Sequence, residues 1–351
     1  MGTPSRNTDV SSHSQGRFRV IVTVQTQNPT LTAPSPVEGE VSISVSEESA
    51  PYLSGPRSKQ TGIMDATPKP NRNLPDIVII HGGWHVPEQF AKLERALSSA
   101  GYTVHIPALP SVSETRPPVA DLHTDAETVH SFVLDLLNKN ISLVVLMHSY
   151  GGQVGSIALH GLGREARAKQ GLEGGILKLI YVSAFLLPEG QSINGFNADF
   201  RPDGKRALTG ETARRGITHP PMEWYDLQAD GVLTAKRPKT LMFGDFEEDT
   251  EEIAEYLKML KPWNAKTFMD AIPHAPAWTE IPSAYVFTSK DIIIHVGLQQ
   301  AMVEDARAAA LENGVDILTE TITLETGHCP HVTATGELVE FIDELVKDLG
   351  Y

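Results

Sequence analysis

The sequence predicts an α/β protein built on a mostly parallel, doubly wound sheet, with a further segment inserted before its last strands. Three observations predict it. From Asp76 onward, short apolar runs rich in β-branched residues alternate with amphipathic stretches, and strands that alternate with helices form parallel sheets covered on both faces. The residues able to do chemistry fall just after those apolar runs, where open parallel sheets bind their ligands. The rhythm breaks once, between about residues 186 and 280, and an insertion in a regular alternation is expected to act as a cap or binding segment.

In chain order, residues 1–73 are rich in Ser, Thr and Pro and carry no sustained helical periodicity. They are expected to be a disordered extension, of which 1–63 are expected to be dispensable. Phe18 to Val24 could pair as a strand. The α/β domain is expected to span 74–351. Ile77 to Ile80 is a strand candidate ending in His81-Gly82-Gly83-Trp84. Residues 87–100 form a helix with Phe90, Leu93 and Leu97 on one face and Gly101 as its stop. Thr103 to Leu109 is a second strand, and 121–139 a helix burying Val129, Phe132, Val133, Leu136 and Leu137. The run Ile141 to Met147 is a buried strand, followed by a helix to about residue 168. Ile176 to Phe185, Ala284 to Thr288 and Ile317 to Leu324 complete the strands. Helices are expected over 249–260, 297–313 and 334–349.

Composition narrows the function. The chain has 351 residues with 40% hydrophobic and 21% charged content, ordinary for a globular protein with ample core material. A formal net charge of −15 disfavours nucleic acid as a partner, because such surfaces are basic. No apolar run approaches the ~20 residues that span a bilayer, so no membrane partner is expected. A single cysteine, Cys329, excludes an internal disulfide framework and suits a reducing, cytoplasmic setting.

The chemistry centres on His148-Ser149-Tyr150-Gly151-Gly152, where a buried strand gives way to a helix. A serine on such a turn is the nucleophile elbow of the α/β-hydrolases. Its usual form is Gly-x-Ser-x-Gly, and here Met147 occupies the first glycine position, so that side chain must find room beside the turn. A serine hydroxyl needs a base, and the base needs a group that fixes its tautomer. In the order serine, acid, histidine, His328 follows the last strand and Asp291 ends the one before it. Asp245 and His331 are the local competitors. The oxyanion of a tetrahedral intermediate requires N–H donors, expected from Tyr150 and from the loop around Gly83. Aromatics Trp84, Trp224, Phe246 and Trp263 are expected to line a pocket for apolar acyl groups. His81 and His85 flank the first glycine turn, but no third ligand arrives at recognisable spacing, so neither metal nor cofactor is expected. Cys329 reads as a small packing residue.

The segments IVIIHGGWHVPEQFAKLERALSSAGYTVHIPALPS, LMHSYGGQVG, LIYVSAFLLPEG, LMFGDFEED, AYVFTSKDIIIHVGLQQAM and ETGHCPHV resemble the plant methylesterase and hydroxynitrile lyase group of α/β-hydrolases. They are also similar to fungal α/β-hydrolases that share the His-Gly-Gly-Trp-His start. The likeness runs from about residue 75 to the C-terminus. It implies an α/β-hydrolase fold with an inserted cap, Ser149 as nucleophile, Asp291 as acid, His328 as base, and Gly83 and Tyr150 as oxyanion donors. Lyases of this group carry a lysine directly after the catalytic histidine, where this chain has Cys329, and that departure favours ester hydrolysis. The expected function is a serine esterase for small or medium apolar esters or lactones. The rivals are a lyase on the same scaffold and a non-catalytic ligand-binding receptor.

Overall fold

The structure is a computed structural model that describes residues 19–22, 43–46, 74–198, 224–244, 250–312 and 317–351. Two compact units separate at residues 67 and 68. In the first, strands β1 (Arg19–Val22) and β2 (Ile43–Ser46) pair antiparallel, and most of the expected extension lies outside the described residues.

The second unit carries the sheet. Strands β3 (Asp76–Ile80), β4 (Val104–His105), β5 (Ser142–His148) and β6 (Gly175–Val182) come first. Strands β7 (Tyr225–Leu227), β8 (Val232–Ala235) and β9 (Trp263–Asn264) form a separate antiparallel sheet. Strands β10 (Ser283–Thr288) and β11 (Leu318–Leu324) return to the main sheet. Its order is β11-β10-β6-β5-β3-β4, and every pairing in it is parallel.

Alternate residues of the central strands face opposite layers, as a two-residue period requires. Ile77, Ile79, Val144 and Leu146 pack with Leu93 and Leu97 of α1 (Ala91–Ala100) and with Phe341, Ile342 and Leu345 of the closing helix Thr335–Asp348. Val78, Ile80, Val145 and Met147 pack with Val129 and Val133 of α2 (Leu122–Leu137) and Val154 of α3 (Gly151–Ala158). A fully buried side chain of this kind contributes about 1.5–3 kcal/mol, so register and layer are strongly fixed. Asp121 caps α2 by accepting from the N–H groups of His123 and Thr124, and Gly101 ends α1 at φ +103°.

Three sequence expectations are corrected. The strand expected over Thr103 to Leu109 pairs only at Val104–His105. Pro107 has no N–H to give the ladder, and the Leu109 N–H turns instead to His81 Nε2 at 3.2 Å. The helix after the elbow does not run to 168. It stops at Ala158, Gly161 adopts φ +78°, and a short helix α4 resumes at Arg164–Ala168. The helix expected from 87 opens with a 3₁₀ turn, Pro87–Phe90, before α1 begins.

The β7-β8-β9 sheet belongs to the segment between β6 and β10, together with α5 (Ile193–Ala198), α6 (Pro238–Phe243) and α7 (Glu251–Lys258). Main-chain bonds stitch this segment to the loops at the strand ends: Lys261 N–H to the Trp84 carbonyl at 2.8 Å, Ser113 N–H to Pro262 at 3.0 Å, and Asn264 N–H to Ser111 at 3.1 Å. Among the described residues no helix is long and apolar enough to cross a membrane.

Candidate active site

Chain order reverses direction across the sheet between β3 and β5, since β4 lies on one side and β6 on the other. Loops leaving such neighbours diverge and open a crevice beyond their carboxyl ends. Gly82-Gly83 leaves β3 there, and Ser149 leaves β5.

Ser149 sits at φ +56°, a left-handed conformation that costs a non-glycine residue free energy and persists only when its surroundings hold it. They do so through three main-chain bonds: Ser149 N–H to Val182 O at 3.3 Å, and Gly152 N–H and Phe185 N–H to Ser149 O at 3.0 and 3.1 Å. Close approach makes the turn possible. A Cβ on Gly151 would lie 2.3 Å from the Ile80 carbonyl oxygen, and one on Gly82 would lie 2.8 Å from Ser149 Cβ. Met147 finds its room inside α3, because a Cβ on Gly155 would lie 2.2 Å from Met147 Sδ. Gly155→Ala is therefore expected to destabilise the fold by about 1–2 kcal/mol, overpacking outweighing the gain in helix propensity. Combining it with Met147→Ala should remove most of that penalty, and chemical denaturation of the double-mutant cycle measures the coupling.

His328 and Asp291 meet as the order rule expects. His328 Nδ1 lies 2.7 Å from Asp291 Oδ2, and both residues are buried. Asp291 Oδ1 accepts from the N–H groups of Ile293 and Ile294 at 2.8 and 3.0 Å, while Thr288 Oγ1 donates to Oδ2 at 3.2 Å. The carboxylate is thus fully engaged, and the imidazole proton is held on Nδ1. The His328 carbonyl accepts from His148 Nε2 at 2.8 Å and from the Ser183 hydroxyl at 3.0 Å, which ties its main chain to the residue before Ser149. His148 stays neutral, since burial and the neighbouring histidines hold its pKa well below the ordinary value.

The last link is open. Among the described residues neither the Ser149 hydroxyl nor His328 Nε2 has a hydrogen-bond partner. The N–H groups of Gly83 and Tyr150 likewise have no acceptor there.

Above Ser149 is a cavity walled by Trp84, Phe185, Trp224, Trp263, Phe268 and Ile293, with Asn197 among its few polar neighbours. Trp84, Trp224 and Trp263 line this cavity, while Phe246, like the competitor Asp245, lies outside the described residues. Trp263 covers the glycine turn, so that a Cβ on Gly83 would lie 2.4 Å from its ring. Trp84 packs edge-on to Trp263 at 5.1 Å and donates its indole N–H to Leu233 O at 3.2 Å.

Sequence reasoning missed a buried network beneath the elbow. Asp125 Oδ2 accepts from the Tyr150 hydroxyl at 2.8 Å and the Ser111 hydroxyl at 2.5 Å, and Oδ1 accepts from Ser111 N–H at 2.8 Å. On sequence alone Asp125 is an ordinary polar residue in the first turn of a helix. Burial outweighs those hydrogen bonds and pushes its carboxyl up to about 6. An unfolded aspartate ionises near about 3.9, so between about pH 4 and 6 the folded state holds a proton that the unfolded state has lost. This contribution favours folding at low pH and disappears as pH rises through about 6. Asp125→Asn cannot ionise; relative to wild type its stability is expected to gain about 1–3 kcal/mol between about pH 4 and 7, read by urea melts at each pH.

The structure also splits the His81 and His85 pair. His81 Nδ1 donates to Gly82 O and Nε2 accepts from Leu109 N–H, so both nitrogens are occupied. His85 instead presents Nε2 to Cys329 Sγ at 3.7 Å, and His331 lies against both.

Comparisons with known proteins agree with this architecture. The chain is 24% identical over 271 residues to the alpha/beta hydrolase nvfD of Aspergillus novofumigatus, covering 76% of this chain and 95% of that one. Its structure is similar to a pyrethroid hydrolase from Sphingobium faniae, with TM-score 0.55, 20% identity, and 78% and 97% of the two chains covered. It is similar as well to the methylesterase MES16 from Arabidopsis, with TM-score 0.53, 20% identity, and 78% and 99% covered. The alpha/beta hydrolase family model matches residues 77–341, three quarters of the chain and the whole frame that carries Ser149, Asp291 and His328, and the protein belongs to that family.

Proposed function

We propose that the protein hydrolyses small or medium apolar carboxylic esters, or lactones, through an acyl-enzyme on Ser149. The observation that carries this reading is the strained serine at φ +56° on the turn beside an oriented Asp291–His328 pair. Strain of this kind concentrates where it is part of a mechanism. With its Nδ1 proton directed to Asp291, the imidazole of His328 has a lone pair on Nε2 for the serine proton. Ser149 Oγ adds to the ester carbonyl, and the amides of Gly83 and Tyr150 receive the oxyanion. Collapse expels the alcohol with the proton from His328. Water, deprotonated by the same imidazole, then adds to the acyl group, and collapse of that intermediate releases the carboxylic acid while His328 returns the proton to Ser149 Oγ. Bonds between a nucleophile and its base commonly tighten in the substrate complex.

The cavity walls favour uncharged, aromatic or aliphatic groups, since no charged side chain is among its described lining residues. Relatives named methylesterase and pyrethroid hydrolase support an ester as the substrate class. A fluorophosphonate probe with an ester and lactone panel tests the proposal: labelling of Ser149 and turnover of at least one ester are expected. No label and no turnover, with tight binding of an apolar ligand, would instead mark a receptor.

A further inference from the structure

Behind the His328 loop lies a buried group that the proposed ester chemistry does not use. His85 on the loop after β3 and Cys329 and His331 on the loop after β11 are all sealed from solvent, and each offers a donor atom within 4.8 Å of the others. We propose that these three side chains bind one divalent transition-metal ion of the zinc class, clamping the two loops together.

The geometry is close to what such an ion needs. With Zn–S near 2.3 Å and Zn–N near 2.0–2.1 Å, a tetrahedral site separates sulfur from nitrogen by about 3.6 Å. Cys329 Sγ and His85 Nε2 stand 3.7 Å apart. The His85 ring is already oriented as in many metal sites: its Nδ1–H donates to the Gly83 carbonyl at 2.8 Å, leaving the Nε2 lone pair toward the sulfur. A backbone acceptor on the remote nitrogen is the usual way a ligating histidine is fixed. His331 is held flat on Phe90, with ring centroids 4.1 Å apart, and its Nδ1 is buried without a partner. The Tyr256 hydroxyl borders the group, 3.0 Å from His331 Nε2 and 3.4 Å from Cys329 Sγ. Two imidazoles and a thiolate form a donor set suited to zinc or cobalt(II), not to calcium or magnesium, which take oxygen ligands. On binding, the Cys329 S–H bond breaks, the proton leaves to solvent and the sulfur forms the metal bond, so uptake strengthens as pH rises.

The clamp would join the loop carrying Gly83 to the loop carrying His328. It is independent of the esterase proposal, because the test reads the ion and not turnover.

The experiment treats the full chain with chelator, removes the chelator, and titrates with cobalt(II), then zinc. Cys329 is the one cysteine of the chain, so any thiolate-to-cobalt charge-transfer band can come only from it. One equivalent of cobalt with that band, displaced by zinc, is expected, together with a zinc-dependent rise in melting temperature. Band and rise should both be lost in Cys329→Ser and in His85→Gln. If Cys329→Ser does not fold, the wild-type band and His85→Gln decide. No binding, binding without a thiolate band, or a band undiminished in His85→Gln would overturn the site.

Discussion

Ser149→Ala is expected to lower kcat on every ester substrate by about 10⁴- to 10⁶-fold, with KM within a few-fold of wild type. In the proposed mechanism the hydroxyl is the bond-forming atom, so its removal would leave only the oxyanion donors and the apolar cavity to act on bound ester. Alanine keeps the Cβ that already tolerates φ +56° and adds no volume against Gly82. The elbow should therefore retain its shape, and the melting temperature should stay close to that of wild type. Steady-state kinetics and circular dichroism on the same preparations check both halves. A variant within tenfold of wild type on any ester would remove Ser149 from the mechanism of that reaction.

Asp291→Asn should cost about 10⁴-fold in kcat, for a reason fixed by the surrounding donors. Ile293 and Ile294 both direct N–H groups at the Oδ1 position, so an asparagine must place its oxygen there. Its NH₂ then faces His328 Nδ1 across the 2.7 Å contact. Two donors cannot share that contact, and the imidazole moves its proton to Nε2. The nitrogen that should accept the serine proton then already carries one. Gln299 reinforces the arrangement, donating to the Ile294 carbonyl at 2.6 Å and the Thr288 hydroxyl at 3.0 Å. Stopped-time assays with a slow ester would resolve a loss of this size. A loss under tenfold, in a variant whose melting temperature matches wild type, would remove the tautomer argument.

Much of the frame was legible because burial on both sheet faces demands uninterrupted apolar strands, and such runs stand out at 77–80, 141–147 and 176–185, the last running past the strand itself, which ends at Val182. Where a strand end depends on which acceptor a single N–H chooses, as at Leu109, local pattern could not find it. Chain order picks Asp291 and His328 as the candidate acid and base, and the structure brings the two side chains together. Asp125 was hidden because its partners, Ser111 and Tyr150, approach it from two other loops. His85 stands 244 positions from Cys329 in the sequence, and no spacing rule reaches that far.

Met147 and Gly155 carry a consequence for how such turns are recognised. The vacant volume that the common pattern reserves two positions before the serine is here displaced to the interior of the following helix, where a thioether fills it. A search that demands a particular letter at each position passes over this chain. One that asks whether the side chains around the bend sum to a packable total would retrieve it.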